Sequence, residues 1–275
     1  MKKYITLRKA GNLLLICLFM VSLQVTTGRA YSQTIPSLFV VADFMKVQPE
    51  NYAGYLKIEQ EIWKPLHEER IQQGIIVGWY LYAVEFSGTA DEYNYVVITL
   101  YDNATNLQNP WLPDIPARVH PGLTLEDIMK KTYSTRTHVK SELLFSVATA
   151  PEIPMEIPAA YMQVNYNQVE LSNQKEYENI ESEFWLPIHN EMIRTGRTTG
   201  WSLWYSLFPR GQDRPYQYMT LNAFSEFSYV FELDYSKSFN VVFPDKNFEE
   251  IRVKTRQIRR TVRTELWDLI DYAIR

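Results

Sequence analysis

The chain carries one run of residues twice. Residues 55–81 and 177–203 align without a gap at an offset of 122 and agree at 13 of 27 positions. Shared positions include Trp63/Trp185, Pro65/Pro187, His67/His189, Gly74/Gly196, Gly78/Gly200 and Trp79/Trp201. A long period that occurs only twice argues against a solenoid, which stacks many short repeats, and for a duplicated unit folded against itself. Any account of the fold must therefore work in both copies.

The N-terminus reads as an address. Lys2, Lys3, Arg8 and Lys9 precede a mostly apolar stretch from Leu13 to Val25, and small residues follow at Gly28 and Ala30. This pattern predicts a signal peptide over 1–30, with cleavage after Ala30 or alternatively Ser32. The stretch is shorter than the ~20 apolar residues of a membrane span. Ile16 before Cys17 does not suit lipoprotein processing, so the expectation is a secreted or periplasmic protein with no membrane span after cleavage. Cys17 is the only cysteine, so the mature chain has no thiol chemistry and its stability must come from burial. Loss of 1–30 leaves 23 basic residues against 32 acidic ones, a net of −9, which argues against a nucleic-acid partner.

Three prolines at 151, 154 and 158 predict a stiff linker over 151–158 between units of 34–150 and 159–275. Each unit has a short strand (Phe39 to Val47; Tyr161 to Val169), then a long helix ended by Gly74 or Gly196. Two aromatic, β-branched strands follow, near 78–86 and 93–101, and near 200–208 and 216–224. After a loop of about twenty residues comes a second helix, opened by Thr124 with Asp127 and by Asn247 with Glu250 in a capping-box pattern. The last strand is expected over Glu142 to Ala148 and Glu265 to Tyr272. The order β-α-β-β-α-β is the ferredoxin-like unit, which leaves one sheet face bare. Val40, Ala42 and Phe44 alternate with Phe39, Val41 and Asp43, so both faces of the first strand carry apolar residues. The expected fold is α+β, two ferredoxin-like repeats packed sheet to sheet, a monomer with pseudo-dimeric halves.

The unit order, the duplication and the W-x-P-[LI]-H-x-E…G-W run resemble the dimeric α+β barrel superfamily over nearly all of the mature chain. That resemblance implies an intramolecular dimeric α+β barrel. It spans small monooxygenases, isomerases and haem-degrading enzymes, so it implies no single chemistry. The haem-degrading members use an Asn, Trp and His set. Asn165 lies on a first strand here without the matching Trp and His, so that activity is not carried over.

Tyr55, Glu59, Trp63 and His67 recur every fourth residue, as do Tyr177, Glu181, Trp185 and His189, and line one helix face beside an apolar stripe. Pro65 and Pro187 are expected to kink this helix, at about 3 kcal/mol or more. Such a kink could turn His67 and His189 inward as general bases, with Glu69/Glu191 or Glu142/Glu265 as partners. The simpler account is packing, with the histidines capping or filling near the helix end. Glu59, Trp63, Trp79, Glu181, Trp185 and Trp201 are the candidate ligand-binding residues, and the same tryptophans suit a core. Arg136/Arg259, Lys140/Arg263 and Glu142/Glu265 read as surface ion pairs. Arg252, Arg256, Arg259, Arg260 and Arg263 read as a solvated helical stripe. His120 and His138 occur only in the first copy, with Trp111 and Arg118 in the same long loop, and would mark the active half if only one half is active.

No zinc motif, phosphate loop or nucleophile elbow is present in the sequence, so neither a metal nor a cofactor is expected. The sequence supports binding of a small flat or apolar molecule in a cleft between the kinked helix and the sheet. A cofactor-independent monooxygenase or isomerase using His67 or His189 is the alternative, and a protein-interaction module is the third.

Overall fold

A computed structural model describes residues 38–110, 114–151, 158–211 and 213–275. The expected signal peptide, Trp111 and most of the linker (152–157) lie outside the described residues. The β-branched and aromatic runs become strands β1 (Phe39–Lys46), β2 (Gly78–Val84), β3 (Tyr95–Tyr101), β4 (Thr137–Ala150), β5 (Tyr161–Val169), β6 (Gly200–Phe208), β7 (Tyr218–Phe224) and β8 (Arg259–Ile274). Among the described residues these eight antiparallel strands close into one barrel, in the order β1-β3-β2-β8-β5-β7-β6-β4. The protein is thus α+β.

The expected face-to-face packing takes a different form: the two sets of four strands join at their edges. Strands β4 and β8 make this possible because they are 14 and 16 residues long and begin earlier than the sequence suggests. The first part of β4 pairs with β1 as far as Phe145, and the part from Leu143 onward pairs with β6. Strand β8 likewise pairs with β5 over Arg259–Asp268 and with β2 over Trp267–Ile274. Edge donors that an open sheet would leave bare are satisfied, and both inner faces enclose one core. Val40, Ala42 and Phe44 point into it beside Val164, Tyr166, Trp204, Tyr216 and Trp267. Met45 and Val97 face outward, under the helices of the first half, as the period of two requires.

The barrel interior also holds Glu142 and Glu265, only 1% and 6% exposed, which corrects their reading as surface charges. Glu265 accepts hydrogen bonds from Tyr93 (2.7 Å), Tyr166 (2.8 Å) and Trp267 Nε1 (2.8 Å) and pairs with Arg263 at 2.6 Å. Glu142 accepts from Arg214 (2.7 Å) and Tyr216 (2.5 Å), with Lys140 at 3.4 Å. Each glutamate stands two residues before an inward apolar residue, Leu144 or Trp267, so strand parity turns it inside. A buried carboxylate is tolerable only with such donors around it.

The first helix of each half lies on the barrel's outer face. It runs as α1 (Tyr52–Ile58), a π turn over Glu59–Trp63 and α2 (Lys64–Gln72). The second copy repeats it as α5 (Gln174–Ile180), a π turn over Glu181–Trp185 and α6 (Leu186–Arg194). This π turn, which the sequence does not announce, stands just before each proline. Pro65 and Pro187 sit in the first turn of the resumed α-helix, where the wider π turn has already passed over the backbone donor that proline lacks. Gly74 and Gly196 follow at φ of 69° and 72°, the left-handed geometry that ends a helix.

Helices α4 (Leu125–Tyr133) and α8 (Phe248–Ile258) complete the outer layer. Thr124 and Asp127 form the capping box, whereas Asn247 caps through the Glu249 amide, with Glu250 taking no part in the cap contacts described. The loop before each of these helices contains a short helix that the sequence reading passed over, α3 (Ile115–Val119) and α7 (Tyr235–Val242).

Candidate functional site

The π turn sets the site's geometry in both halves. It begins at Glu59 and ends at Trp63, and both side chains are buried between helix and sheet. Trp63 Nε1 donates to Thr132 Oγ1 on α4 at 2.9 Å, and that hydroxyl donates to the Ile128 carbonyl at 2.8 Å. Trp185, Thr255 and Ile251 repeat the chain at 3.0 and 2.8 Å. The pattern ties first helix to second and explains why the tryptophan recurs. One turn on, His67 stacks between Trp79 (5.0 Å) and Trp63 (6.0 Å). His189 stacks on Trp201 at 4.9 Å and meets the edge of Tyr235 at 5.7 Å.

The carboxylate partners expected for the histidines bind elsewhere. Glu69 pairs with Arg118 at 3.0 Å, Glu191 with Arg194 at 2.6 Å, and Glu142 and Glu265 are inside the barrel. His67 Nδ1 instead lies 2.9 Å from Arg70 Nη1. A guanidinium only donates, so Nδ1 accepts and the neutral ring carries its proton on Nε2. Burial, reinforced by the Arg70 charge, holds the His67 pKa well below its ordinary value. Burial and then Arg259 push His189 down to about 3. Both rings are neutral at physiological pH.

In the first half these residues border a cavity of about 350 Å³ between the helices and the outer face of β1 and β3. Glu59, Trp63 and His67 line it, together with Arg70, Tyr101 and Arg136. Trp79 is fully buried behind His67 and backs the wall without joining the described lining. Arg70 Nη2 donates to the Tyr101 hydroxyl at 2.8 Å. Arg136 is 3.9 Å from Glu59 through Nε. Burial raises Glu59 to about 7, and the Arg136 charge offsets only part of that.

The second half keeps the frame and changes the lining. Met192 stands at the position of Arg70, Phe224 at that of Tyr101, Asn165 at that of Asp43 and Thr261 at that of His138. Arg259, the counterpart of Arg136, closes on Glu181 at 2.6 Å and on the Tyr177 hydroxyl at 3.2 Å. A space of about 400 Å³ is bordered by Trp185, Tyr235 and Arg259, but neither His189 nor Glu181 belongs to its lining. Trp201 borders a third space, about 190 Å³ and mostly apolar, at one mouth of the barrel with Tyr80, Tyr82 and Trp204.

The residues unique to the first copy divide. His120 Nε2 donates to the Ile62 carbonyl at 2.9 Å, a structural strut to the π turn. His138 borders the cavity, and its Nε2 lies 3.3 Å from Asp43 Oδ1 and 3.0 Å from Ser141 Oγ. Serine, histidine and aspartate are all present, but both contacts use the same ring nitrogen. A nucleophilic triad needs opposite ones, so this geometry is not a hydrolase site. The expected arginine stripe also dissolves. Arg252 pairs with Glu249 on α8, whereas Arg259, Arg260 and Arg263 belong to β8 and bind Glu181, Gln168 and Glu265.

The fold brings Arg70, Tyr101, Asp43 and Arg136 together at one cavity, which no local pattern in the sequence announces. The signal was available in three of them, because Arg70, Tyr101 and Asp43 all break the repeat.

Neither protein-family models nor curated proteins match the chain. Solved structures do. A candidate monooxygenase from Lactobacillus acidophilus is 8% identical with a TM-score of 0.55, over 86% of this chain and 96% of its own. A candidate monooxygenase from Fusobacterium nucleatum is 10% identical at 0.57, over 87% and 94%. An anthrone oxidase-like protein is 10% identical at 0.52, over 87% and 93%. These likenesses are consistent with the dimeric α+β barrel fold.

Proposed function

We propose that the chain is an exported protein of two ferredoxin-like repeats, 34–150 and 159–275 joined by 151–158, that binds a small flat molecule in the cleft of its first half. The carrying observation is the cavity of about 350 Å³ walled by Trp63, His67 and Tyr101, within the ~300–1,000 Å³ usual for small-molecule sites. His67 and the ligand-binding candidates Glu59 and Trp63 belong to it, with Trp79 behind. His189, Glu181, Trp185 and Trp201 serve as the frame of the second half. Titration with 2-naphthamide, followed by tryptophan fluorescence, tests this. Saturable quenching that is lost in Met129→Trp, which fills the cleft from its rim, supports the reading. Unchanged quenching in that variant refutes it.

A second reading, a cofactor-independent monooxygenase, is favoured by the solved structures that share this fold and by the presence of His67 in the cleft. Anthrone is a suitable test substrate because its oxidation by one O₂ to anthraquinone and water needs no outside reductant. Oxygen uptake that disappears in His67→Ala supports this second reading. Uptake equal to the buffer rate in the native protein removes it.

A further inference from the structure

The two halves hold the same arginine in opposite states. In the second half burial works against the Arg259 charge, but Glu181 and Tyr177 outweigh it and raise its pKa. Arg136, its counterpart, has a side chain only 9% exposed. Its Nε and Nη1 are buried with no hydrogen-bond partner among the described residues, and the residue lines the cavity. A buried guanidinium with unmet donors is costly, and an anionic oxygen is the acceptor that meets such a donor most strongly.

We infer that the first-half cleft takes a planar aromatic molecule bearing an anionic oxygen, a carboxylate or a phenolate, anchored on Arg136. The inference rests on the cleft being a ligand site, as proposed above, and adds the chemistry of the ligand. The surroundings fit a flat ring with one charged end. Trp63, Met45 and Val97 offer apolar and aromatic surface, while Arg70 adds a second positive charge. Two carboxylates oppose it. Asp43 is engaged by His138 and Ser141. Glu59 stands 3.9 Å from Arg136, too far for the tight pairing seen at Glu181, and burial keeps it partly protonated near neutrality.

The second half cannot substitute, because Arg259 is already spent on Glu181 and Tyr177. Binding is therefore expected in one half, with one ligand per chain.

Paired titrations with 2-naphthoate and its uncharged isostere 2-naphthamide test the anchor. The expected result is one site per chain, with naphthoate bound about tenfold or more tightly, the scale of one charge-assisted hydrogen bond. That preference should vanish in Arg136→Gln. Equal affinity for both probes in the native protein overturns the oxyanion anchor and leaves the flat-molecule cleft standing. Binding of neither probe overturns both. Should Arg136→Gln not fold, Glu59→Gln serves: removing the competing carboxylate should strengthen naphthoate binding, and unchanged or weaker binding there overturns the inference.

Discussion

Replacing Arg70 by methionine converts one corner of the first half into the second, where Met192 already occupies that position. Arg70 donates to His67 Nδ1 at 2.9 Å and to the Tyr101 hydroxyl at 2.8 Å. Deleting these donors leaves two buried polar atoms short of a partner, at about 1–3 kcal/mol each. Against this, the substitution relieves the burial that lowers the Arg70 pKa. The single variant should therefore lose about 2–4 kcal/mol. Adding Tyr101→Phe, which reproduces Phe224, removes one orphan. The double variant should then cost less than the sum of the singles by roughly 1–3 kcal/mol, the range for residues in contact. Its His67 should behave like His189, which burial and a nearby arginine push down to about 3. Urea denaturation of the four proteins gives the coupling, and nitrogen-15 shifts of the His67 ring between pH 8 and 4 give its protonation. A strictly additive cycle would refute the coupling of Arg70 to Tyr101, and a His67 ring titrating near 6.5 in the double variant would refute the claim that burial sets the ring's state.

Other substitutions probe the frame. Thr132→Val and Thr255→Val should each cost about 1–3 kcal/mol by orphaning a buried indole donor, visible as a drop of roughly 2–4 °C in Tm per kcal/mol; unchanged melting would remove the helix-to-helix tie. Glu265→Gln should cost about 3–5 kcal/mol, because Arg263 loses its counter-charge and the amide nitrogen cannot accept from the two donors that faced the replaced oxygen. Tyr93→Phe, which keeps the charge, should cost only about 1 kcal/mol, and equal losses would contradict the idea that the buried charge dominates. Glu59 has a folded-state pKa raised to about 7, above its unfolded value. The folded protein therefore binds the extra proton, and stability falls as pH rises through 7, by up to about 3 kcal/mol. Glu59→Gln should remove that slope between pH 5 and 8, and an unaltered slope in denaturation series would place the proton elsewhere.

Much of the architecture was legible because the repeat fixes it twice. Alternation in β1 separates Val40, Ala42 and Phe44 from their outward neighbours, and the glycines at 74 and 196 mark where each helix must stop. What stayed hidden depends on partners distant in sequence. No local pattern says that β4 and β8 outrun their own sheets and pair with β6 and β2. Pro65 reads as a kink because the period of 3.6 carries no sign of a π turn. His67 invites a carboxylate partner, yet its Nδ1 accepts from Arg70, three residues on and one helical turn away. Parity could have corrected Glu142 and Glu265, since each shares its face with an inward apolar residue.

The repeat's agreements and departures carry different information. Residues that agree, such as Trp63/Trp185 with their threonine acceptors and Trp79/Trp201 under the histidines, hold each first helix on the barrel. Four of the residues that depart meet at one place: Asp43, Arg70, Tyr101 and His138 all border the first-half cavity, where Asn165, Met192, Phe224 and Thr261 stand in the second. The first-half four place polar side chains beside an arginine with two unmet donors, which is the local chemistry that the proposed anion anchor needs. In the second half the same arginine is closed on Glu181, so the frame is kept while that donor is taken.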